Sequence, residues 1–383
     1  MRLVFGAALA AILAASPSAW PDEGGVGMVS LFANVGKWSS GDTGGEGNQT
    51  LVYSQVSYDA KTWGVAATGS MAQTSYKSSG LQERLDISTL TDTAIAAHYG
   101  MKWEETTLRL GLDVNLPTGK HAYTDREINK AILEDVSQDL MLVNVYGAGL
   151  NIAPHVLASY RTGFGAVGAG LKYTVTGEFD PTTEHSGDIF DPGDKLMAVM
   201  TAMILSRGED FVLLNASYTH AGVDKQGGRD VFHTGDLIGA DARYVAKWDG
   251  NFQTALAVSL KMQDKNELLD ASGVLRPEMD NSNKNSAEVL LNNSYRYTSE
   301  LTVTGVAGYK TVAANGYPAT SGLYDAGRNK YYIEPGAAWQ FGKEAYLSGK
   351  LRYSMVKDKQ DAFSAVDATY NVYNLDLGVV YTF

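Results

Sequence analysis

The sequence predicts an all-β protein, a transmembrane antiparallel up-and-down β-barrel of about 16 strands, within a range of about 14–18. Three observations predict this fold. The chain ends in a strand that alternates apolar and polar side chains, short and long connections alternate along its length, and it begins with an export signal. Each of these features belongs to barrels that cross a membrane with strands rather than helices.

The last strand shows the alternation most clearly. A period of two describes a strand with one apolar and one polar face. Aromatic side chains at both ends of the apolar face are typical of a transmembrane β-strand of about ten residues. A terminal aromatic residue resembles the C-terminal signature of Gram-negative outer-membrane barrels. The residues of this signature are Tyr373, Leu375, Leu377, Val379, Tyr381 and Phe383.

Residues 1–19 have the pattern of a secretory signal peptide. Arg2 supplies the positive start, residues 3–15 the apolar centre, and small residues follow. The apolar centre is too short for a membrane-spanning helix, which needs about 20 residues. We therefore expect cleavage after Ser18 or Ala19 and a single barrel domain over residues 20–383.

The composition excludes several classes of protein. The chain has no cysteine, which rules out lipoprotein anchoring, disulfides, thiolate metal sites and covalently attached haem. The formal net charge of −12 argues against nucleic acid as a partner. Acidic loops are instead compatible with anionic lipopolysaccharide bridged by divalent cations, so the expected surroundings are outer-membrane lipids.

Alternating segments recur along the whole chain. Connections such as 59–61, 104–106 and 249–251 have hairpin turn chemistry, and longer polar connections such as 177–195 and 263–286 fall between them. Short periplasmic turns and long extracellular loops are typical of bacterial barrels. The predicted strands are 27–38, 49–58, 62–74, 91–103, 107–116, 150–161, 164–176, 196–206, 211–220, 237–248, 252–262, 287–297, 301–310, 331–341, 345–357 and 370–383.

The polar positions of these strands predict a charged lumen. A soluble sandwich would show the same alternation, but the signal peptide, the terminal Phe383 and the tyrosines at strand ends favour the barrel. We expect Lys350 and Arg352 to lie beside Asp376 on the neighbouring strand. The candidate pore-lining residues are Arg109, Asp113, Lys172, Asp241, Arg243, Glu334, Lys350, Arg352 and Asp376.

The connection 120–144 is long enough to have a structure of its own. Ile128, Ala131, Ile132 and Val136 recur at helical spacing between charged residues, which is consistent with a short amphipathic helix. The loop could fold into the lumen and narrow it, or it could stay exposed outside the barrel. The sequence leaves both alternatives open.

Residues 112–119 end in Leu116-Pro-Thr-Gly119 and follow an Asp92-Thr strand; together they resemble the outer-membrane family labelled for the MetA pathway of phenol degradation. The resemblance continues into Gly147–Gly149 and the hairpin 160–173. It implies a barrel that admits small organic molecules, and it carries over no catalytic residue. In purely structural terms, Pro117 and Gly119 are suited to a strand exit.

The function predicted from these observations is passive diffusion of small solutes or ions through a charged aqueous lumen. No catalytic motif is present and the six histidines lack ligand spacing, so we predict neither an enzyme nor a cofactor. One alternative is a barrel that sheathes a multihaem cytochrome partner and conducts electrons. Others are a lipid-modifying barrel enzyme and an adhesive surface protein. Homo-oligomerisation is left open.

Overall fold

The computed structural model of the chain describes residues 25–77, 84–125, 127, 136–184, 189–206, 209–362 and 366–383. The predicted signal peptide, residues 1–19, lies outside these ranges. Seventeen strand segments in the described ranges form one antiparallel sheet, and its last strand pairs with its first. The sheet is therefore a closed barrel, as the sequence predicts.

All sixteen predicted segments coincide with barrel strands to within a few residues. Of the seventeen observed segments, Leu85–Leu90 (β4) and Thr93–Trp103 (β5) pair one after the other with the same strand, Trp63–Lys77 (β3). They count as one strand, so the barrel has sixteen strands. The segments are β1 (Val26–Ser40), β2 (Glu46–Asp59), β3 (Trp63–Lys77), β4 (Leu85–Leu90), β5 (Thr93–Trp103), β6 (Thr106–Leu116), β7 (Asn151–Thr162), β8 (Gly165–Thr176), β10 (Lys195–Leu205), β11 (Phe211–Ala221), β14 (Leu237–Lys247), β15 (Phe252–Gln263), β18 (Ser286–Arg296), β19 (Leu301–Val312), β20 (Arg328–Gln340), β21 (Ala345–Asp358) and β22 (Ala368–Thr382).

The outer face of the barrel is an exposed apolar belt. On β22 the outward residues Leu375, Leu377 and Val379 are each more than two-fifths exposed. Aromatic side chains border the belt at both ends, as they do where a barrel meets the two interfaces of a bilayer. Near the short turns they are Tyr99, Trp103, Tyr160, Tyr244, Trp248, Tyr295, Trp339 and Tyr381, and near the long loops they are Tyr173, Tyr218, Tyr309, Tyr331, Tyr353 and Tyr373.

Strand β10 departs from the predicted polar interior. Its outward Met200 and Ile204 are exposed, but so are Met197 and Met203, which alternate with them and face the lumen. The register places Met197 opposite Lys172 of β8, which is one of the predicted lumen residues. The interior is therefore polar with an apolar stripe, rather than polar throughout.

The long loops carry strands that the sequence did not predict. The segments β9 (Phe190–Asp191), β12 (Val223–Gln226), β13 (Arg229–His233), β16 (Glu267–Leu269) and β17 (Leu275–Pro277) form a second sheet in the order β9–β12–β13–β16–β17. They come from three successive long connections of the barrel. Backbone pairing thus braces these loops against one another at the loop end.

The pairing of the first and last strands can be tested by cross-linking, because the chain has no cysteine of its own. Ala33 of β1 and Leu377 of β22 are direct partners, and opposed residues of antiparallel strands lie within disulfide reach. We expect Ala33→Cys with Leu377→Cys to form an intramolecular disulfide after mild oxidation of the folded protein, seen as a reductant-sensitive gel shift. The control pair is Ala33→Cys with Leu291→Cys on the distant strand β18. Equal cross-linking of both pairs, or of neither, would contradict the closure.

Candidate functional site: a lumen narrowed by an inward loop

The connection between β6 and β7 folds into the barrel. Its residues 136–146 are called the inward segment below. They contact the wall side chains that alternate with the lipid-facing ones along each strand. Of the two alternatives that the sequence left open, the described part of this loop therefore takes the inward one. Its predicted helical residues Ile128, Ala131 and Ile132 lie outside the described residues. One buried cluster of segment and wall contains Trp38, Tyr76, Val136, Leu140, Met141, Val356, Ala368, Tyr370 and Val372.

Asp139 fastens the inward segment to the wall. It lies on a helical turn, Ser137–Leu140, and is only 5% exposed. Arg328 Nε donates to Asp139 Oδ2 at 2.5 Å, and Lys310 Nζ donates to Oδ1 at 2.8 Å. Lys330 Nζ donates to the main-chain carbonyl of Asp139 at 2.9 Å. Three cations of β19 and β20 thus converge on one residue of the loop.

The electrostatics of this cluster favour the charged carboxylate. Burial alone would raise the pKa of the Asp139 carboxyl, but the charges and hydrogen bonds of Arg328 and Lys310 hold its pKa below the ordinary value. When docking lowers the pKa of a carboxyl, that carboxyl stabilises the docked state at pH values above its ordinary pKa. That stabilisation is lost as the pH falls through the depressed value. The loop is therefore held by charge at neutral pH.

The same segment is also bound to β2 and β3. Gln49 Nε2 donates to the Val143 carbonyl at 2.7 Å, while Gln49 Oε1 accepts from the amides of Leu142 and Val143 at 3.1 and 3.0 Å. The hydroxyls of Thr74 and Tyr146 also hydrogen-bond, and both side chains are buried. Because one glutamine side chain satisfies three backbone groups, this stretch of loop can lie inside the barrel without secondary structure of its own.

The base of the loop is clamped by Asp92, which lies between β4 and β5. Its Oδ1 accepts from the Gly119 amide at 2.9 Å, and its Oδ2 accepts from the Ala148 amide at 2.7 Å, so it joins the two arms of the loop. A side chain at Gly119 would come within 2.1 Å of the Tyr146 carbonyl. The Asp92 and Leu116-Pro-Thr-Gly119 elements, which carry the family resemblance, are thus more than a strand exit: they hold the inward loop in place.

One group of predicted lumen residues lies on β20–β22. Glu334 is only 4% exposed and is paired with Arg352 at 2.7 Å and with Lys350 at 3.5 Å. The expectation that Lys350 and Arg352 lie beside Asp376 is correct in register, since Lys350 is opposite Asp376. Their charge partner is nevertheless Glu334. Asp376 instead accepts from Asn34 Nδ2 at 2.6 Å, because β1 completes the barrel on its other side.

A second group lies on β5–β8. Lys172 Nζ donates to Asp113 Oδ2 at 2.7 Å, and His155 Nδ1 lies 3.6 Å from the same oxygen. Arg109 lies nearer the short turns and donates to His98 Nε2 at 2.5 Å. The remaining predicted residues are on β14, where Asp241 accepts from Asn215 Nδ2 at 2.6 Å. Arg243 is exposed there, and no carboxylate oxygen of a described residue lies within 4.0 Å of it.

The inward segment and the cavities occupy different parts of the lumen. The segment packs on β1–β3 and β19–β22. One cavity of about 470 Å³ lies against β5–β8 and β10, and a second of about 360 Å³ lies against β10, β11, β14 and β15. These cavities therefore lie on the side of the lumen away from the segment.

Sequence reasoning missed the wall residues that hold the loop, namely Gln49, Asp92, Arg328 and Lys330. One signal was available for two of them. Arg328 and Lys330 are alternate residues at the start of a strand, so they share a face with no acidic residue between them. Two inward cations with no acidic residue between them predict an acidic partner from another part of the chain, and Asp139 is such a partner.

The described residues contain no cluster of three or more His, Asp or Glu side chains that could hold a metal ion. Among the helices in the described ranges, none is both long and apolar enough to cross a bilayer.

No family model and no curated protein matches the chain. Among solved structures it is similar to the toluene transporter TodX of Pseudomonas putida, at 14% identity over 97% of this chain and 93% of that one, with a TM-score of 0.42. It is also similar to OpdO of Pseudomonas aeruginosa, at 12% identity over 94% of this chain and 97% of that one, with a TM-score of 0.47. OmpT of Vibrio cholerae matches at 9% identity over 95% and 99%, with a TM-score of 0.42. These low scores carry no argument about solute or activity. The resemblance to the phenol-degradation family is not confirmed and stays a prediction.

Asp139→Asn should loosen the inward segment, because it removes the carboxylate that Arg328 and Lys310 share. Removing one partner of a buried ion pair costs about 3 kcal/mol. We expect a larger and noisier single-channel current and faster proteolysis of the loop in the folded barrel. Gln138→Ala, at an exposed position of the same helical turn, is the control and should leave both unchanged. A current from Asp139→Asn identical to that of the native protein would contradict the docking role.

Replacing Lys350 and Arg352 together by glutamine should shift ion preference toward cations, because buried Glu334 then keeps its charge without a counter-ion. The measurement is the reversal potential in a KCl gradient. Lys37→Gln with Lys343→Gln is the charge-matched control, since Lys37 belongs to the outward series of β1 and Lys343 lies in a turn. A reversal potential that shifts equally in both double variants would show that the lumen position does not matter.

Proposed function

We propose that the protein is an outer-membrane channel through which small solutes diffuse passively. The observation that carries the proposal is the division of the lumen. One side of the wall is covered by the inward segment, and the other keeps cavities lined by polar, charged and some apolar side chains. A barrel of sixteen strands has room for water inside, so a narrowed but continuous path is the natural consequence.

The membrane assignment has a physical basis in the exposed apolar belt and its two aromatic borders. Only closed barrels and helices can pair their backbone groups within lipid. In the orientation we propose, the short turns lie in the periplasm and the long loops outside, where their acidic residues meet lipopolysaccharide through divalent cations. The cleaved signal peptide over residues 1–19 would bring the chain to this membrane.

The inward segment favours a channel over the cytochrome sheath. A haem protein threaded through the barrel would need the lumen along its length, and residues 136–146 occupy part of that space. Their buried contacts with both β2 and β20 would have to break to admit it. The proposed channel has no catalytic residue, no cofactor and no energy coupling.

The selectivity we propose comes from side chains rather than from a gate. The pairs Lys172–Asp113 and Arg352–Glu334 place opposite charges on the wall at 2.7 Å each. Such groups create a field that orients solutes and sets ion preference in an aqueous pore. If the resemblance to the phenol-degradation family holds, the solutes are small organic molecules.

Single-channel recording in a planar bilayer tests the channel directly. We expect steady, well-defined openings from the refolded protein, and swelling of proteoliposomes in small sugars at a rate that falls with sugar size. Folding is checked independently by the gel shift of the unheated barrel. Silence from correctly folded protein in both assays would reject the proposal. Openings without sugar-driven swelling would reject the general solute path in favour of an ion channel.

A further inference from the structure

The cavity of about 470 Å³ on the lumen wall has an apolar side and a cationic side. Leu157 and Val199 line the apolar side, and Leu157 is 39% exposed although it faces the lumen. The register confirms this orientation, because Leu157 lies opposite Arg109 and Gly170 on the neighbouring strands. An exposed leucine on the wall of an aqueous pore is available for contact with an apolar ligand.

Two inward-facing glycines of β8 lie next to this apolar side. Gly170 lies opposite Leu157 on one side and Val199 on the other. A Cβ at Gly170 would come within 2.2 Å of Leu157 Cδ2 and 3.2 Å of Val199 Cγ2, so the Leu157 side chain lies across this glycine. Gly168 lines the cavity itself and adds no side chain to it. The hollow beside Gly168 and Leu157 therefore has room for an apolar group of the size of a small ring.

Arg109 forms the cationic side of the cavity. No carboxylate oxygen of a described residue lies within 4.0 Å of its guanidinium. Its contact at 2.5 Å is with His98 Nε2, which must accept, because a guanidinium only donates. Most of the guanidinium's five donors remain for a ligand. This sets Arg109 apart from Lys172 and Arg352, whose charges are paired with carboxylates.

The other charged groups around the cavity leave it positive. Lys61 and Asp59 also line it, at the short-turn end. Asp59 Oδ1 lies 3.3 Å from His98 Nε2. With His98 neutral, two cations face one carboxylate. An anion entering the cavity therefore meets a favourable field as well as hydrogen-bond donors.

We propose that this cavity is a binding site for small organic anions that carry one carboxylate on an apolar body. Arg109 binds the carboxylate through two parallel N–H donors, the bidentate geometry that suits a guanidinium. The body lies in the glycine hollow against Leu157 and Val199. The inference rests on the proposed channel, since the ligand reaches the cavity through the lumen. A site of this kind must be weak enough to release what it binds.

Three probes separate the parts of this site. Benzoate has both charge and body, benzyl alcohol has the body alone, and formate has the charge alone. We expect benzoate to reduce the KCl current in a saturable way, and the other two to do so only at much higher concentration. Arg109→Gln should raise the half-blocking concentration of benzoate by about tenfold or more, the loss expected for a charge-assisted hydrogen-bonded pair. Leu157→Asn should weaken the block by benzoate but not that by formate.

Arg243→Gln is the matched control. It removes the same charge from another lumen arginine that has no described carboxylate within 4.0 Å and that does not line this cavity. We expect its half-blocking concentration to stay within about twofold of the native value, below the effect of one hydrogen bond. Equal shifts for Arg109→Gln and Arg243→Gln would overturn the site and leave only a general lumen potential. Equal block by benzoate and formate would overturn the role of the hollow.

Calorimetric titration of benzoate into the detergent-solubilised barrel separates this inference from the channel. Saturable heat that Arg109→Gln abolishes supports the site even if the protein does not conduct, in which case only the proposed function fails. A conducting native protein that shows neither block nor heat with benzoate would overturn the site and leave the channel intact.

Discussion

Backbone pairing is the constraint on which the rest of this structure depends. In lipid an unpaired amide or carbonyl costs several kcal/mol, so the sheet has to close, and β22 pairs with β1 along most of its length. Closure pairs each barrel strand with a neighbour on both sides. Any chemistry inside the barrel must therefore come from inward side chains and from loops. This is why the lumen holds its distinctive chemistry in a few charged residues and one inward segment.

Wall and loop depend on each other through charge. Arg328, Lys310 and Lys330 face inward on neighbouring strands, and without Asp139 they would repel one another in a confined space. Asp139 in turn could not be buried without them. The clamp at Asp92 fixes where the loop begins and ends, and these charges fix where its tip lies. Together they close one side of the lumen and leave the cavities on the other.

The barrel was predictable because its signal is local. Alternation with a period of two and the short turns can be seen within ten residues, and every barrel segment except β4 coincides with a predicted one. Partners far apart along the chain could not be predicted in this way. The sequence analysis placed Arg352 beside Asp376, but its charge partner is Glu334. Both carboxylates lie on strands next to β21, and the sequence does not indicate which of the two is nearer to Arg352. The loop sheet was missed because strands of two to five residues are too short to show a period.

Strand β10 has a consequence for the chain before it folds into the barrel. With apolar side chains on both faces, the run Leu196–Leu205 is the longest apolar stretch after the predicted export signal, and Thr201 is the one polar residue in it. Such a run, which is hydrophobic, uncharged and free of proline, is prone to aggregate. In the sequence Lys195 precedes the run, and Arg207, Glu209 and Asp210 follow it, which is the position of gatekeeper charges. We therefore expect this strand to be the part of the unfolded chain that most needs shielding before it pairs with β8 and β11.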